Sequence, residues 1–246
     1  MENHYIIGID EVGRGPIAGP VMVGAFIFLV PDFEKNIKEY SVENKLPLRD
    51  SKKLTQKQKE KWVKYFKEEK EKGNCDFALS AVSASDIDKI GIVPSIQKAL
   101  NNSLEKITTQ VVKNASQNVP NFSAFTLKGS DADKNLEHLA PLHTFDSSQE
   151  VSPASFHIYL DGGLKAPVEY VNQETIIKGD ELHPVISCAS IVAKVTRDSL
   201  MDKYGLEYVD YGFENHAGYG TSAHYDAIKK YGLTPLHRKT FLKNIK

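Results

Sequence analysis

Cysteine is scarce in this chain: Cys75 and Cys188 are the only two, far apart in sequence and without CxxC spacing. A disulfide-stapled scaffold is therefore excluded, and a reducing compartment is the simplest reading. Long apolar runs are missing as well. The longest, residues 21–30, is about half of the ~20 residues that a bilayer crossing takes. The opening MENHYIIGID has no basic segment followed by an apolar one, so no secretory signal is visible and a cytoplasmic protein is expected. Charge of one sign is lacking too. With 31 Lys and Arg against 32 Asp and Glu, the net charge of −1 removes bulk charge as a reason to bind nucleic acid. Its distribution is uneven, however: Lys229 to Lys246 holds six Lys or Arg and no Asp or Glu. Neither proline (11) nor glycine (16) is frequent enough for a fibrous or low-complexity chain. What remains is 246 residues of ordinary composition, enough to bury a sizeable core.

Residues 5–10 and 20–30 read as strands, short and β-branched, with a Gly/Pro loop between them. The second is apolar nearly throughout, as expected for a strand buried on both faces. Thr55 to Lys72 reads as a charged helix with Trp62, Val63 and Phe66 on its apolar side, stopped by Gly73-Asn74. CDFALSAVS is a third strand, and residues 83–112 hold one or two helices, capped at Ser85 or Asp86 and with Pro94 at a helix start. Residues 114–155 turn Ser/Asn/Asp/Pro-rich, a polar surface insertion by composition. FHIYLDGG and VEYVNQETIIKGD give two more strands. A helix from Pro184 follows, closed by Gly205, and short helices separated by Gly/Pro turns complete the chain. Strands first, with helices between the later ones, predict an α/β domain.

Asp10 and Asp161 share a context, each ending an apolar strand just before a glycine-containing turn. Carboxylates at strand ends in one sheet can converge at its edge, where ligands of α/β sheets gather. Asp198 falls seven residues after Ile191 and three after Val195, on or beside the helix face that would meet the sheet. Glu11 is the fourth acid. Several carboxylates within a few Å repel one another unless a cation is present. All-oxygen ligands without His or Cys point to Mg²⁺ or Mn²⁺ rather than Zn²⁺. Successive strand residues face opposite sides, so Asp10 and Glu11 are expected to share a site only where the strand bends, which Gly13 would permit.

GRGPIA, with Gly13, Gly15 and Ala18, also matches the loose dinucleotide fingerprint, and Asp32 could then serve as the ribose acid of an oxidoreductase. Against this, Asp10 and Glu11 would set negative charge where a pyrophosphate must sit, and Pro16 and Pro20 lead into a strand instead of a helix. The glycines more simply allow close backbone approach to a sugar-phosphate chain.

GIDEVGRGPIAGPV, DSKKLT, YLDGG, IIKGD, SIVAKVTRD, GYGT and HRKTF, in this order between residue 5 and about 241, resemble the type 2 ribonuclease H (ribonuclease HII) family. The resemblance implies an α/β, ribonuclease H-like mixed five-stranded sheet flanked by helices. It further implies a single domain over 1–246: a catalytic core to about 204 interrupted by the insertion, then a C-terminal helical extension. Its four acids fall on Asp10, Glu11, Asp161 and Asp198. The implied activity is endonucleolytic cleavage of RNA in RNA–DNA hybrids and beside single ribonucleotides in duplex DNA, leaving 5′-phosphate and 3′-hydroxyl ends. Two divalent cations (Mg²⁺ or Mn²⁺) would activate water and stabilise the leaving oxygen, with Asp10 bridging both. In the resemblance Gly13, Arg14 and Gly15 read the 2′-hydroxyl through backbone groups and Tyr219 stacks on the neighbouring sugar. Lys52 and Lys178 are expected phosphate contacts, and the chain is expected to act as a monomer. Without the resemblance Tyr219 would read as core and either lysine as surface charge. A binding module without metal chemistry would instead make the acids structural.

Overall fold

The structure, a computed structural model, describes residues 5–117 and 151–243. Most of the polar insertion at 114–155 therefore lies outside the described residues; its two ends continue a helix to Gln117 and form a 3-10 turn at Pro153–Ser155. Five strands make one mixed sheet in the order β3-β2-β1-β4-β5. They are β1 Tyr5–Val12, β2 Val21–Phe28, β3 Cys75–Val82, β4 Phe156–Asp161 and β5 Gln173–Ile176. β1 and β3 pair antiparallel with β2, while β4 runs parallel to both β1 and β5.

All eight residues of β2 are buried, as its unbroken apolar run predicts. On one face Ile7, Ile9, Val23, Ala25 and Ile158 pack against α4 (Ile92–Gln117) through Ile96, Leu100, Leu104 and Ile107, with α3 (Ala84–Ile90) alongside. On the other face Phe26 and Phe28 meet α1 (Phe33–Glu43), α2 (Gln56–Glu71) and α6 (Pro184–Glu207). Most ring–ring contacts of the two sheet faces lie on that second face. Phe26 and Phe66 meet edge-on at 4.9 Å, and Trp62 stacks on Phe66 at 5.4 Å. The N-terminus of α2 is fixed by a reciprocal cap: Thr55 Oγ1 accepts from the Gln58 amide and Gln58 Oε1 accepts from the Thr55 amide.

The long helix α6 lies directly on β1 and β2. A Cβ at Gly8 would strike the Val185 carbonyl oxygen, and one at Gly24 would come within 2.7 Å of the Ala189 oxygen. Only hydrogen at these two positions lets the helix backbone approach so closely. α5 (Gly179–Leu182), α7 (Phe213–His216) and α8 (Ser222–Tyr231) complete the helices among the described residues. A third apolar cluster joins α6, α7 and α8 to Ile17 and Ala18 of the loop after β1.

Several boundaries differ from the sequence reading. α1 was not foreseen, although Phe33, Ile37 and Tyr40 recur at helical spacing. The cap of α3 is Ser83, whose hydroxyl accepts from the Asp86 amide, instead of Ser85 or Asp86. β5 is four residues long, because residues 168–172 form a turn and irregular backbone. Gly205 does not close α6: it sits inside the helix, where a Cβ would come within 2.5 Å of Glu214 Oε2.

Candidate active site

The parallel pairing of β1 with β4 ends at Ile9 opposite Leu160, so Asp10 and Asp161 are the next residues of two adjacent strands. In that register their side chains leave the same edge of the sheet. No bend separates Asp10 from Glu11, contrary to expectation: β1 stays paired with β2 through Val12 opposite Met22. Instead the Asp10 carboxylate folds against the next peptide unit and accepts from the Glu11 amide at 2.7 Å. Oxygens of Asp10, Glu11 and Asp161 consequently lie within 4.8 Å of one another. Asp161 is itself anchored, its Oδ1 accepting from the Gly179 amide at 2.7 Å and the Asp180 amide at 3.4 Å.

The electrostatics show what this crowding costs. Burial pushes Asp10 well above the usual carboxylate range, and Asp161, Glu11 and Asp180 push the same way against a hydrogen bond from Ser190. Glu11 is raised as well, by burial and by Asp161, with Arg14 (3.5 Å from its carboxylate) opposing. Three oxygen donors, two of them disfavoured as anions by burial and by the Asp161 charge, with no nitrogen or sulfur among them, suit a hard divalent cation.

Asp198 does not join that group. Its carboxylate is held by Lys194 Nζ at 2.8 Å and Lys59 Nζ at 3.5 Å, the latter a buried ammonium from α2. Lys52 reaches the site from the turn before α2, its Nζ 3.8 Å from Asp180 Oδ2. Burial pulls this ammonium down, but Asp50, Asp180, Asp10 and Asp161 together hold it above its usual value. Lys178 is exposed, makes no ion pair with a described residue, and adopts φ 57°, a left-handed conformation uncommon outside glycine. Arg14 and Gly15 are exposed and Gly13 is buried. Tyr219 is 45% exposed, which excludes the core reading, and its ring lies over Gly15: a Cβ there would be 3.8 Å from Tyr219 Cε1.

Other residues at the site went unread in the sequence. Asp180 is buried beside Asp161, and its carboxyl is pushed up from the usual carboxylate range by burial and then by Asp161 and Asp50, with Lys52 opposing. It stands in the IIKGD segment, and Asp50 in DSKKLT, so the motifs contained them while strand-end reasoning passed over them. Ser190 of α6 is linked to Ser51 at 2.9 Å, tying the DSKK turn to the acid that Ser190 contacts. The dinucleotide alternative fails on the fold. Residues 13–20 run into β2 and present no helix N-terminus, and Asp32 follows β2, at the opposite end of the sheet from Asp10.

A family model described as Ribonuclease HII matches residues 7–244. A Ribonuclease HII of Clostridioides difficile is 33% identical over 244 residues, covering 98% of this chain and 71% of that one. The Ribonuclease HII of Clostridium acetobutylicum is 35% identical over 243 residues, covering 99% and 74%. Among solved structures, Bst-RNase HIII in complex with Mn²⁺ superposes with a TM-score of 0.59 at 16% identity, over 99% of this chain and 71% of that one, a likeness of fold.

Proposed function

The chain belongs to the ribonuclease HII family, and from that premise we propose that it hydrolyses the RNA strand of RNA–DNA hybrids and cuts beside single ribonucleotides in duplex DNA. The observation that carries this reading is the set of three carboxylates within 4.8 Å at the carboxyl ends of β1 and β4, followed by a glycine loop exposed at Arg14 and Gly15. Asp10, Glu11 and Asp161 would hold divalent cations, Mg²⁺ or Mn²⁺, with Asp198 as fourth acid once it leaves its lysines. Such cations supply activation of the attacking water and stabilisation of charge on the leaving oxygen.

The protein's own groups do the rest. The Gly179 amide keeps the Asp161 carboxylate aimed at Asp10 and Glu11. Gly13, Arg14 and Gly15 present backbone to the ribose, whose 2′-hydroxyl distinguishes RNA from DNA. The Tyr219 ring beside Gly15 supports the adjoining sugar. Lys52 and Lys178 take backbone phosphates on either side, and the exposed lysines Lys229, Lys230, Lys239 and Lys243 add sequence-independent affinity for the duplex. No helix among the described residues is long and apolar enough to cross a membrane; we infer a cytoplasmic monomer.

End-group mapping tests the reading. A DNA duplex with one ribonucleotide, incubated with the protein and Mg²⁺ or Mn²⁺, should give fragments ending in 3′-hydroxyl and 5′-phosphate beside that nucleotide. A 2′,3′-cyclic phosphate would mean attack by the 2′-hydroxyl and would overturn it.

A further inference from the structure

Arg197 of α6 and Arg238 of the C-terminal segment are both fully buried, and neither forms an ion pair with a described residue. Their hydrogen bonds go to backbone carbonyls. Arg238 donates from Nε to Gly19 O (2.9 Å), from Nη1 to Arg14 O (3.0 Å) and from Nη2 to Gly13 O (2.6 Å). Arg197 donates to Pro20 O (3.0 Å), Ala18 O (3.3 Å) and Ala217 O (2.9 Å). Five of these six acceptors belong to the loop of residues 13–20; the sixth lies two residues before Tyr219.

Burying an unpaired cation is costly. Its consequence lies in the peptide units. None is cis, so each carbonyl points opposite to the N–H of the next residue. With the Gly13 and Arg14 carbonyls both drawn to Arg238, the Arg14 and Gly15 amides are turned to the other side of the loop. Both residues are exposed there, and neither amide donates to a described residue. Residue 16 is proline and adds no third donor. The outward side also carries the Tyr219 ring, next to Gly15.

We propose that Arg238 is a positioning residue that sets ribose specificity: without touching substrate, it presents the Arg14 and Gly15 amides as a fixed pair of donors for the 2′-oxygen. A planar guanidinium reaches three carbonyls at fixed angles, whereas a lysine ammonium is a single point and cannot hold them apart. The loop would then keep its charge environment and lose its orientation. This inference rests on the proposed cleavage at ribonucleotides.

The test is the affinity of the protein, in EDTA, for a duplex with one ribonucleotide relative to the same duplex made wholly of DNA. Arg238→Lys should narrow that ratio about fivefold or more, the order expected for one or two lost hydrogen bonds. Its affinity for all-DNA duplex should be nearly unchanged. Gly15→Pro deletes one of the two donors while leaving the guanidinium in place, and it should narrow the same ratio even if the arginine variant folds poorly. A merely structural arginine would shift melting temperature and both affinities together. An unchanged ratio in folded Arg238→Lys, or in Gly15→Pro, overturns the proposal. Wild-type protein that fails to cut the ribonucleotide duplex in Mn²⁺ would instead overturn the reading on which it rests.

Discussion

Asp10→Asn exchanges one carboxylate oxygen for an amide and leaves the side-chain shape almost unaltered. The Asp10 carboxyl is pushed upward in the folded chain, so folding binds its proton more tightly than the unfolded chain does. Such a group weakens the folded state as pH rises past the ordinary carboxylate range. Asp10→Asn should therefore abolish cleavage and, in metal-free buffer at pH 7, raise the melting temperature by a few degrees, at about 2–4 °C per kcal/mol for a chain of this size. A lowered melting temperature in calorimetry would show that the carboxylates do not repel. Tyr219→Ala belongs to the same scale with the opposite signature. The ring is 45% exposed, so its loss should leave the melting temperature within about 2 °C, as for most surface substitutions. Cleavage at a single ribonucleotide should fall more than cleavage within continuous RNA, because one sugar alone then sets the register and ~1 Å of misplacement can cost on the order of a hundredfold. Equal losses on the two substrates would remove the stacking role. Asp10 and Asp161 were legible in the sequence because an acid ending an apolar strand is rarely casual. Arg197 and Arg238 were not, since five of their six partners are carbonyls 177 to 225 residues away along the chain, and carbonyls leave no mark in a sequence.

At the scale of elements, the site depends on how closely α6 lies on the sheet. Gly8→Ala or Gly24→Ala would force the helix away from β1 and β2. Overpacking of this kind costs about 1–3 kcal/mol, so either variant should melt several degrees lower. Because α6 also carries Ser190 and Asp198, cleavage should fall in these variants even at temperatures where they are fully folded. Full activity with lowered stability would show that the helix position is not part of the site. The strands, the amphipathic helix α2 and the largely buried helix α6 followed from periodicity and turn residues. What periodicity missed has physical reasons: α1 is a short helix in a polar stretch, and β5 pairs at the sheet edge through four residues only. Gly205 resembles a stop signal but serves the approach of Glu214.

Across the whole molecule, the helices α7 and α8 and the loop after β1 share one core with α6, and a chain of histidines runs through it. The Thr234 amide can only donate, so His237 Nδ1 accepts from it at 2.9 Å and the proton sits on Nε2. That proton is donated to His224 Nε2 at 3.1 Å, and His224 Nδ1 donates to the Tyr219 carbonyl at 2.9 Å. Burial pulls His224 from 6.5 down to about 4, the Tyr219 carbonyl opposing and His216 and His237 assisting; burial lowers His237 as well. Since the unfolded chain takes up protons first, the stability these neutral rings contribute is whole above about pH 6.5 and is lost as pH falls toward 4. Urea midpoints should drop between pH 7 and pH 4.5, and His224→Gln should flatten that dependence; a flat profile in the parent protein would contradict it. Nothing in the sequence marks this clustering, since His216, His224 and His237 stand at unrelated spacings. The central claim is that the acids at the ends of β1 and β4 hold catalytic cations, and cleavage of a duplex with one ribonucleotide tests it most directly. Activity should vanish in EDTA, return on adding Mg²⁺ or Mn²⁺, and stay absent in Asp10→Asn with either metal. Undiminished cleavage in EDTA, or by Asp10→Asn, would contradict it.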